Sequence, residues 1–144
     1  MIVPDVNLLV YAYNADAPLH AEAKAWWERA LSEPTPVGLP WVSALGFVRL
    51  MTHARVLVSP LEPRTAVDHV REWLDRPNVE PLEPGPRHIR IFGDLLGALG
   101  VGGNLTTDAH LAALAIEHEC ELHSNDADFA RFAGLRWRNP LADR

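Results

Sequence analysis

Residues 107–129 read TDAHLAALAIEHECELHSNDADF and contain three consecutive elements of the fold. The first part is rich in alanine and leucine, and it predicts a helix over residues 107–119. A short strand over 121–123 and a short helix over 126–132 follow. Asp108 lies in the first turn of the long helix, whereas Asp126 and Asp128 follow the strand. The stretch therefore places carboxylates on both sides of one helix–strand unit.

The rest of the chain continues this alternation. Further strands are predicted at 2–5, 37–40, 79–82 and 135–137, and further helices at 6–13, 20–31, 42–52, 63–74 and 86–99. Helices that alternate with strands from end to end predict an α/β sandwich, in which a mostly parallel central sheet is flanked by helices. The chain has 144 residues, of which 48% are hydrophobic, so we expect a single domain over 1–144.

The composition excludes several classes of protein. Cys120 is the only cysteine, so an internal disulfide cannot form. No apolar run approaches the roughly 18 residues that a membrane-spanning helix needs. The first residues lack the positive charge of a secretory signal and include Asp5. We therefore expect a cytoplasmic protein with no membrane association.

The net charge of −6 bears on the choice of partner. A protein that binds nucleic acid without specificity normally carries a basic face. The negative net charge therefore argues against non-specific nucleic-acid binding. The charge can be reconciled with a nuclease if several acids surround bound cations, since a cation reverses the local sign. It also suits a protein that binds a basic partner.

Four aspartates fall where a parallel sheet would hold a ligand. Asp5 ends the first strand, and it joins Asp108, Asp126 and Asp128 near the carboxyl ends of the strands, where such sites lie. Each acid also has a structural explanation, because carboxylates cap helices and favour their first turn. Gathered together, however, they would repel one another unless cations neutralised them. Hard oxygen ligands select Mg²⁺ or Mn²⁺ and suit phosphodiester hydrolysis.

These motifs resemble those of the PIN-domain toxins of the VapC type over nearly the whole chain. The resemblance is carried by three stretches: Asp5-Val6-Asn7, Thr107-Asp108-Ala109-His110-Leu111-Ala112-Ala113-Leu114-Ala115, and Ser124-Asn125-Asp126-Ala127-Asp128-Phe129. It implies a PIN-like three-layer sandwich and a Mg²⁺-dependent endoribonuclease, in which Mn²⁺ can substitute. It further implies the toxin component of a type II toxin–antitoxin system, a cognate VapB-type antitoxin, and an RNA substrate of the tRNA or rRNA class.

The resemblance also assigns roles to individual residues. Asp5, Asp108 and Asp126 match the catalytic, metal-binding acids of the family. Asp128 matches a supporting acid, and Asn7 matches a polar residue beside the first aspartate. PIN toxins commonly form homodimers, and the large apolar residues of the first half, Trp26, Trp27 and Trp41, are candidates for the dimer surface.

Gly46 departs from the family pattern. The family usually has a glutamate just before the Phe-x-Arg of the third helix, whereas this chain has Gly46 before Phe47. Glycine costs about 1 kcal/mol relative to alanine inside a helix, so helix stability does not explain it. One hypothesis is a missing ligand and a weakened second metal site. The other is that Gly46 leaves room for RNA or for a side chain from elsewhere.

Two function classes follow from these observations. The first is an endoribonuclease toxin, in which Arg49 is a possible contact to an RNA phosphate. The second is a catalytically weak PIN module that acts by binding RNA or its antitoxin, and Gly46 supports it. For Arg49 taken alone, a surface salt bridge is the alternative interpretation.

Overall fold

The computed structural model describes residues 1–142, so residues 143 and 144 of the predicted domain lie outside the described part. Within it the chain forms five strands and six α-helices. Short 3₁₀-helices lie at Gly103–Leu105 and Ala127–Arg131. In chain order the elements are β1 (Ile2–Pro4), α1 (Val6–Tyr13), α2 (His20–Ser32), β2 (Val37–Pro40), α3 (Trp41–Met51), α4 (Pro63–Leu74), β3 (Val79–Leu82), α5 (His88–Leu99), α6 (Thr106–Glu117), β4 (Glu121–His123) and β5 (Arg136–Arg138).

The predicted elements are confirmed, and their ends differ from the observed ones by at most two residues. The largest differences lie at the start of α5 and the end of α6. Helix α6 ends early because Glu119 adopts a left-handed backbone conformation with φ of 56°, which a helix cannot include. The short helix predicted over 126–132 is a 3₁₀-helix.

The five strands form one parallel sheet in the order β3-β2-β1-β4-β5. Strand β1 lies at the centre, and its Pro4 is paired with His123 of β4. The backbone N–H of Asp5 donates to the carbonyl oxygen of His123 at 2.9 Å. The residues that follow β1 and β4 therefore emerge side by side at the carboxyl edge of the sheet.

Helices cover both faces of this sheet, as the α/β sandwich prediction requires. Successive strand residues point to opposite faces, and Val79 and Leu82 of β3 accordingly belong to two different hydrophobic clusters. One cluster contains the buried side chains of α1 to α4, centred on Trp27, Phe47 and Trp73. The other packs α6 and the final 3₁₀-helix against β1 and β4. No helix within residues 1–142 is long and apolar enough to cross a membrane.

The proposed dimer anchors Trp26 and Trp27 are core residues, so this part of the prediction is wrong. The Trp27 ring packs edge-on against Trp73 with centroids 5.4 Å apart. The Trp26 indole N–H donates to His123 Nδ1 at 3.1 Å. Helix α2 thus turns both rings towards the sheet and α4, where they are shielded from any second copy. Trp41 differs, since 42% of its surface is exposed.

Candidate active site

Asp5 is held in place by hydrogen bonds to both carboxylate oxygens. Its Oδ1 accepts the backbone N–H of Val6 at 2.7 Å, which caps α1 as predicted. Its Oδ2 accepts the Ser124 hydroxyl at 2.7 Å. Burial raises the pKa of Asp5, the two hydrogen bonds oppose that rise, and the negative charge of Asp126 adds to it. One lone pair on each oxygen remains for a further ligand.

Ser124 connects two of the predicted acids and is the residue that the sequence reasoning missed. This fully buried serine donates to Asp5, and its oxygen accepts the backbone N–H of Asp126 at 3.0 Å. Its own backbone N–H bonds to the carbonyl of Arg138 on β5. The signal available in the sequence was a serine at a strand end two residues before an aspartate, a spacing typical of a side-chain–backbone turn.

Asp126 and Asp128 lie at the start of the 3₁₀-helix that follows β4. Asp126 is its N-cap, since its Oδ1 accepts the backbone N–H of Asp128 at 2.9 Å. The capping interpretation is therefore correct for Asp126 as well as for Asp5. A cap occupies only one of the lone pairs of a carboxylate, so capping and metal binding are compatible in the same residue.

Asp108 has a raised pKa to which burial and the other three acids contribute. It is half-buried in the first turn of α6. Burial, as the largest cause, and the charges of Asp5, Asp126 and Asp128 together raise its pKa to about 6. No hydrogen bond from residues 1–142 offsets these effects. Asp5, Asp126 and Asp128 are therefore close enough to act on Asp108, and no hydrogen bond within residues 1–142 compensates Asp108 for their repulsion.

The donor set fits a hard divalent cation. All of the candidate ligand atoms are oxygens, the type that Mg²⁺ prefers, and a cation would remove the repulsion around Asp108. Among residues 1–142, no three carboxylate, imidazole or thiol groups form a ready-made metal cage. Mg²⁺ does not need one, because it is usually held by one or two carboxylates together with water and substrate phosphate.

Two other predicted site residues, Asn7 and Arg49, form no hydrogen bond or ion pair with the four aspartates within residues 1–142. Asn7 lies in the first turn of α1, and its buried Oδ1 has no hydrogen-bond partner among the described residues. Arg49 lies in the last turn of α3 and is exposed. It forms no ion pair within residues 1–142, so the salt-bridge interpretation of Arg49 finds no support.

Gly46 faces the first turn of α1, next to Asp5. A Cβ atom placed on it would lie 3.1 Å from Val6 Cγ2, closer than an ordinary contact. The Val6 side chain thus takes the space that a larger residue at position 46 would enter. This favours the hypothesis that Gly46 leaves room for another side chain.

The PIN domain family model matches residues 2–135 of the chain. The chain belongs to the PIN domain family. Within this family it is 49% identical over 143 residues to Ribonuclease VapC33 of Mycobacterium tuberculosis, covering 99% of this chain and all of that protein. It is 42% identical to Ribonuclease VapC37 of the same organism, covering 99% of both.

Solved structures agree on the PIN fold. VapBC2 from Rickettsia felis, bound to a DNA fragment from its promoter, superposes with a TM-score of 0.70 at 19% identity, over 96% of this chain and 98% of that chain. VapC20 of M. tuberculosis, described as a sarcin–ricin loop cleaving toxin, gives 0.62 at 19% identity, over 94% and 99%. The PIN-like sandwich predicted from the sequence is thus confirmed.

Proposed function

We propose that this PIN domain is a Mg²⁺-dependent endoribonuclease and the toxin of a type II toxin–antitoxin pair. The observation that carries the proposal is the crowding of four aspartates at the carboxyl edge of the sheet, where the pKa of Asp108 reaches about 6. Full-length relatives named as VapC ribonucleases support the same activity. The repulsion at this edge lowers stability, which suggests that the acids are retained for function.

Asp5, Asp108 and Asp126 would hold the ion, and Asp128 would add negative charge beside it. A bound Mg²⁺ or Mn²⁺ supplies Lewis acidity and a more acidic water for attack on the phosphodiester. The chain itself supplies orientation. Val6 and Ser124 fix the two oxygens of Asp5. Ser124 also fixes the backbone of Asp126, so that the first and third acids keep a constant relative position.

Metal removal and return test this proposal. EDTA should abolish cleavage of a fluorogenic RNA, and added Mg²⁺ or Mn²⁺ should restore it. A tRNA and an rRNA stem-loop are the substrates to compare, since these are the classes that we expect. Cleavage that persists after thorough chelation would remove the metal mechanism.

The second function to be tested is a catalytically weak PIN module that binds RNA or an antitoxin. Two observations favour it: glycine replaces the usual acid at position 46, and residues 1–142 contain no ready-made group of three ligands. Titration of Mn²⁺ in the same RNA assay separates the two functions. A toxin enzyme reaches multiple turnovers at saturating Mn²⁺, whereas a binding module retains RNA without cleaving it.

A VapB-type antitoxin is the partner that we propose. The structural neighbours include VapBC complexes, among them VapBC-1 from Haemophilus influenzae. An acidic site in a chain of net charge −6 suits an arginine-bearing segment, because guanidinium pairs bidentately with carboxylates. Co-expression with the neighbouring small gene should relieve growth arrest. Arrest that continues despite co-expression would count against this partner.

We also propose a homodimer, with α5 rather than α2 as the surface. Helix α5 is strongly apolar, yet Leu95 is its only buried residue. Ile89 is 73% exposed, and Val101 just beyond the helix is half exposed. Exposed apolar surface of this kind is typical of interaction sites. Light scattering should show a dimer at micromolar concentration, and Ile89→Glu should shift it towards monomer. A strict monomer in the wild type would refute the dimer.

A further inference from the structure

Trp41 is the one exposed member of a group of otherwise buried indoles in the helical half of the chain. Trp26, Trp27 and Trp73 are all core residues, whereas 42% of Trp41 is open to solvent. Its Nε1–H lies 3.4 Å from Glu83 Oε1, an exposed and long hydrogen bond that orients the edge of the ring. A large part of an aromatic ring is thus open to solvent.

The position of Trp41 links it to the acidic site. It is the first residue of α3 and directly follows β2, while Asp5 directly follows β1. These two strands are adjacent and parallel, so both residues lie at the same edge of the sheet. Ser43 of the same helical turn donates to the carbonyl oxygen of Pro4 at 2.8 Å, which fixes the first turn of α3 against the end of β1.

The net charge of the chain bears on how RNA could be held at this edge of the sheet. A chain of charge −6 gains little from general attraction to phosphate. Local contacts would then contribute most of its affinity for a nucleic acid, and some of these need not depend on charge. Stacking of a base on an indole is such a contact, because every base has a flat face and stacking tolerates any sequence.

We propose that Trp41 is a stacking platform for an unpaired base of the RNA strand whose phosphodiester lies at the acidic site. Leu45 and Arg49 continue the exposed line of side chains along α3, at spacings of four residues. Single-strand nucleic-acid sites combine aromatic rings, on which bases stack, with cations that contact the backbone. Trp41 and Arg49 offer one group of each kind, whereas Leu45 offers neither and serves as the control for exposed apolar surface. This inference rests on the proposed ribonuclease function.

The test uses a cleavage-deficient Asp108→Asn chain, so that binding is measured without turnover. Anisotropy of a fluorescein-labelled single-stranded RNA decamer gives the affinity for this chain and for the same chain carrying Trp41→Leu, Trp41→Phe or Leu45→Ala. Loss of one stacked base corresponds to about five- to a hundredfold weaker binding for Trp41→Leu. The Phe variant should retain most of the affinity, and Leu45→Ala should match the parent.

Two further readouts decide between RNA and other occupants. The dependence of the affinity on salt should keep the same slope in Trp41→Leu, because stacking releases no counterions. The oligomeric state by light scattering should also be unchanged. Unaltered RNA affinity in Trp41→Leu overturns the inference while leaving the ribonuclease proposal intact. A loss of dimer in Trp41→Leu would instead assign the surface to a second copy. Absence of any RNA binding or cleavage in the wild type would refute both proposals.

Discussion

Helix α6 has a carboxylate near each end, and the two have opposite environments. Glu117, near the carboxyl end, accepts backbone N–H groups of Gly85 and Arg87 at 2.8 and 2.9 Å. Burial works to raise its pKa, but these hydrogen bonds and the nearby His118 and His88 lower the pKa below its usual value. Asp108, in the first turn, has no such donors, and burial together with three neighbouring aspartates raises its pKa to about 6.

The difference separates an acid that the fold stabilises from one that we propose to be functional. Glu117 is fully compensated, and it fixes the loop before α5. Gly85 allows this, since a Cβ there would lie 2.6 Å from Glu117 Oε2. Asp108 is left with repulsion that nothing in residues 1–142 relieves. A buried charge without a partner costs stability. Glu117 therefore stabilises the fold, whereas the charge of Asp108 would be stabilised by the cation that we propose.

The largest expected effect is on cleavage. Asp108→Asn should lower RNA cleavage by about a hundredfold or more, because a neutral amide loses the charge that holds the ion. Circular dichroism should show an unchanged fold. Glu117→Gln is the matched control on the same helix, and it should retain the rate per folded molecule. Near-normal cleavage by Asp108→Asn would show that the ligand assignment is wrong.

Substitution of Glu117 is expected to lower stability, whereas substitution of Asp108 is expected to lower cleavage with the fold unchanged. Glu117→Ala should lower the free energy of unfolding by about 2 kcal/mol, since two backbone donors lose a charged acceptor. Urea denaturation measures the change. Glu62→Ala is the control: Glu62 is exposed and makes no side-chain cap, so its removal should alter stability by less than about 0.5 kcal/mol. Equal stability losses in the two variants would contradict the structural role of Glu117.

Substitution of Ser124 tests whether metal binding needs Asp5 to be held in a fixed orientation. Ser124→Ala should raise the Mn²⁺ concentration for half-maximal cleavage about tenfold, because residues that orient metal ligands typically change affinity to this extent. Ser43→Ala is the control, since Ser43 is also buried but bonds to a backbone carbonyl instead of an acid. If both variants shift the Mn²⁺ requirement equally, orientation of Asp5 is not the cause.

Gly46→Glu decides between the two hypotheses for position 46. If a metal ligand is missing there, the variant should tighten Mn²⁺ binding severalfold, because more charged ligands raise cation affinity. The part-exposed Val6 must move by a few tenths of an ångström to admit the new Cβ. Calorimetric titration compares the wild type with Gly46→Glu and with the uncharged Gly46→Gln. Slower cleavage with unchanged affinity would reject the missing-ligand hypothesis in favour of the space that Val6 occupies.

The smallest effect concerns pH in the metal-free protein. The pKa of Asp108 is higher in the folded state than its ordinary 3.8, so its ionised form opposes folding. This penalty is complete above pH 6 and disappears as the pH falls towards 4. Asp108→Asn should thus be more stable than the wild type at pH 8, by less than about 1 kcal/mol because solvent screens a half-exposed group. Thermal melts should show the difference shrinking at pH 4.5, and a constant difference would contradict the raised pKa.

Much of the fold was predictable because its signals are local. Helix α4 begins at Pro63, which suits a first helical position, and α1 begins just after the cap Asp5, as both were predicted. The alternation of strands and helices was enough for the parallel sheet. The capping and metal-binding interpretations of Asp5 and Asp126 were treated as alternatives. The structure confirms the caps, and metal binding by the same residues stays a prediction.

The burial of Trp26 and Trp27 could not be predicted in the same way. Trp26 and Trp27 are consecutive on a helix, and the sequence does not state how far the neighbouring helices enclose both rings. Helix α4, which begins 36 residues after Trp27, supplies Trp73 as the partner that buries it. The size and apolar character of Trp26 and Trp27 therefore suggested a dimer surface, whereas both residues belong to the core.

The sequence by itself determined the elements, the fold class, and the four acids at the carboxyl ends of strands or in the first turns of helices. Only the tertiary structure decided that Ser124 joins Asp5 across 119 positions of the chain, that Gly46 faces Val6, and that three aspartates act on Asp108. Helix propensity and capping depend on neighbours within one turn, so the sequence displays them directly. Contacts between distant residues depend on which strands lie side by side and on how the helices pack, and these are properties of the whole folded chain.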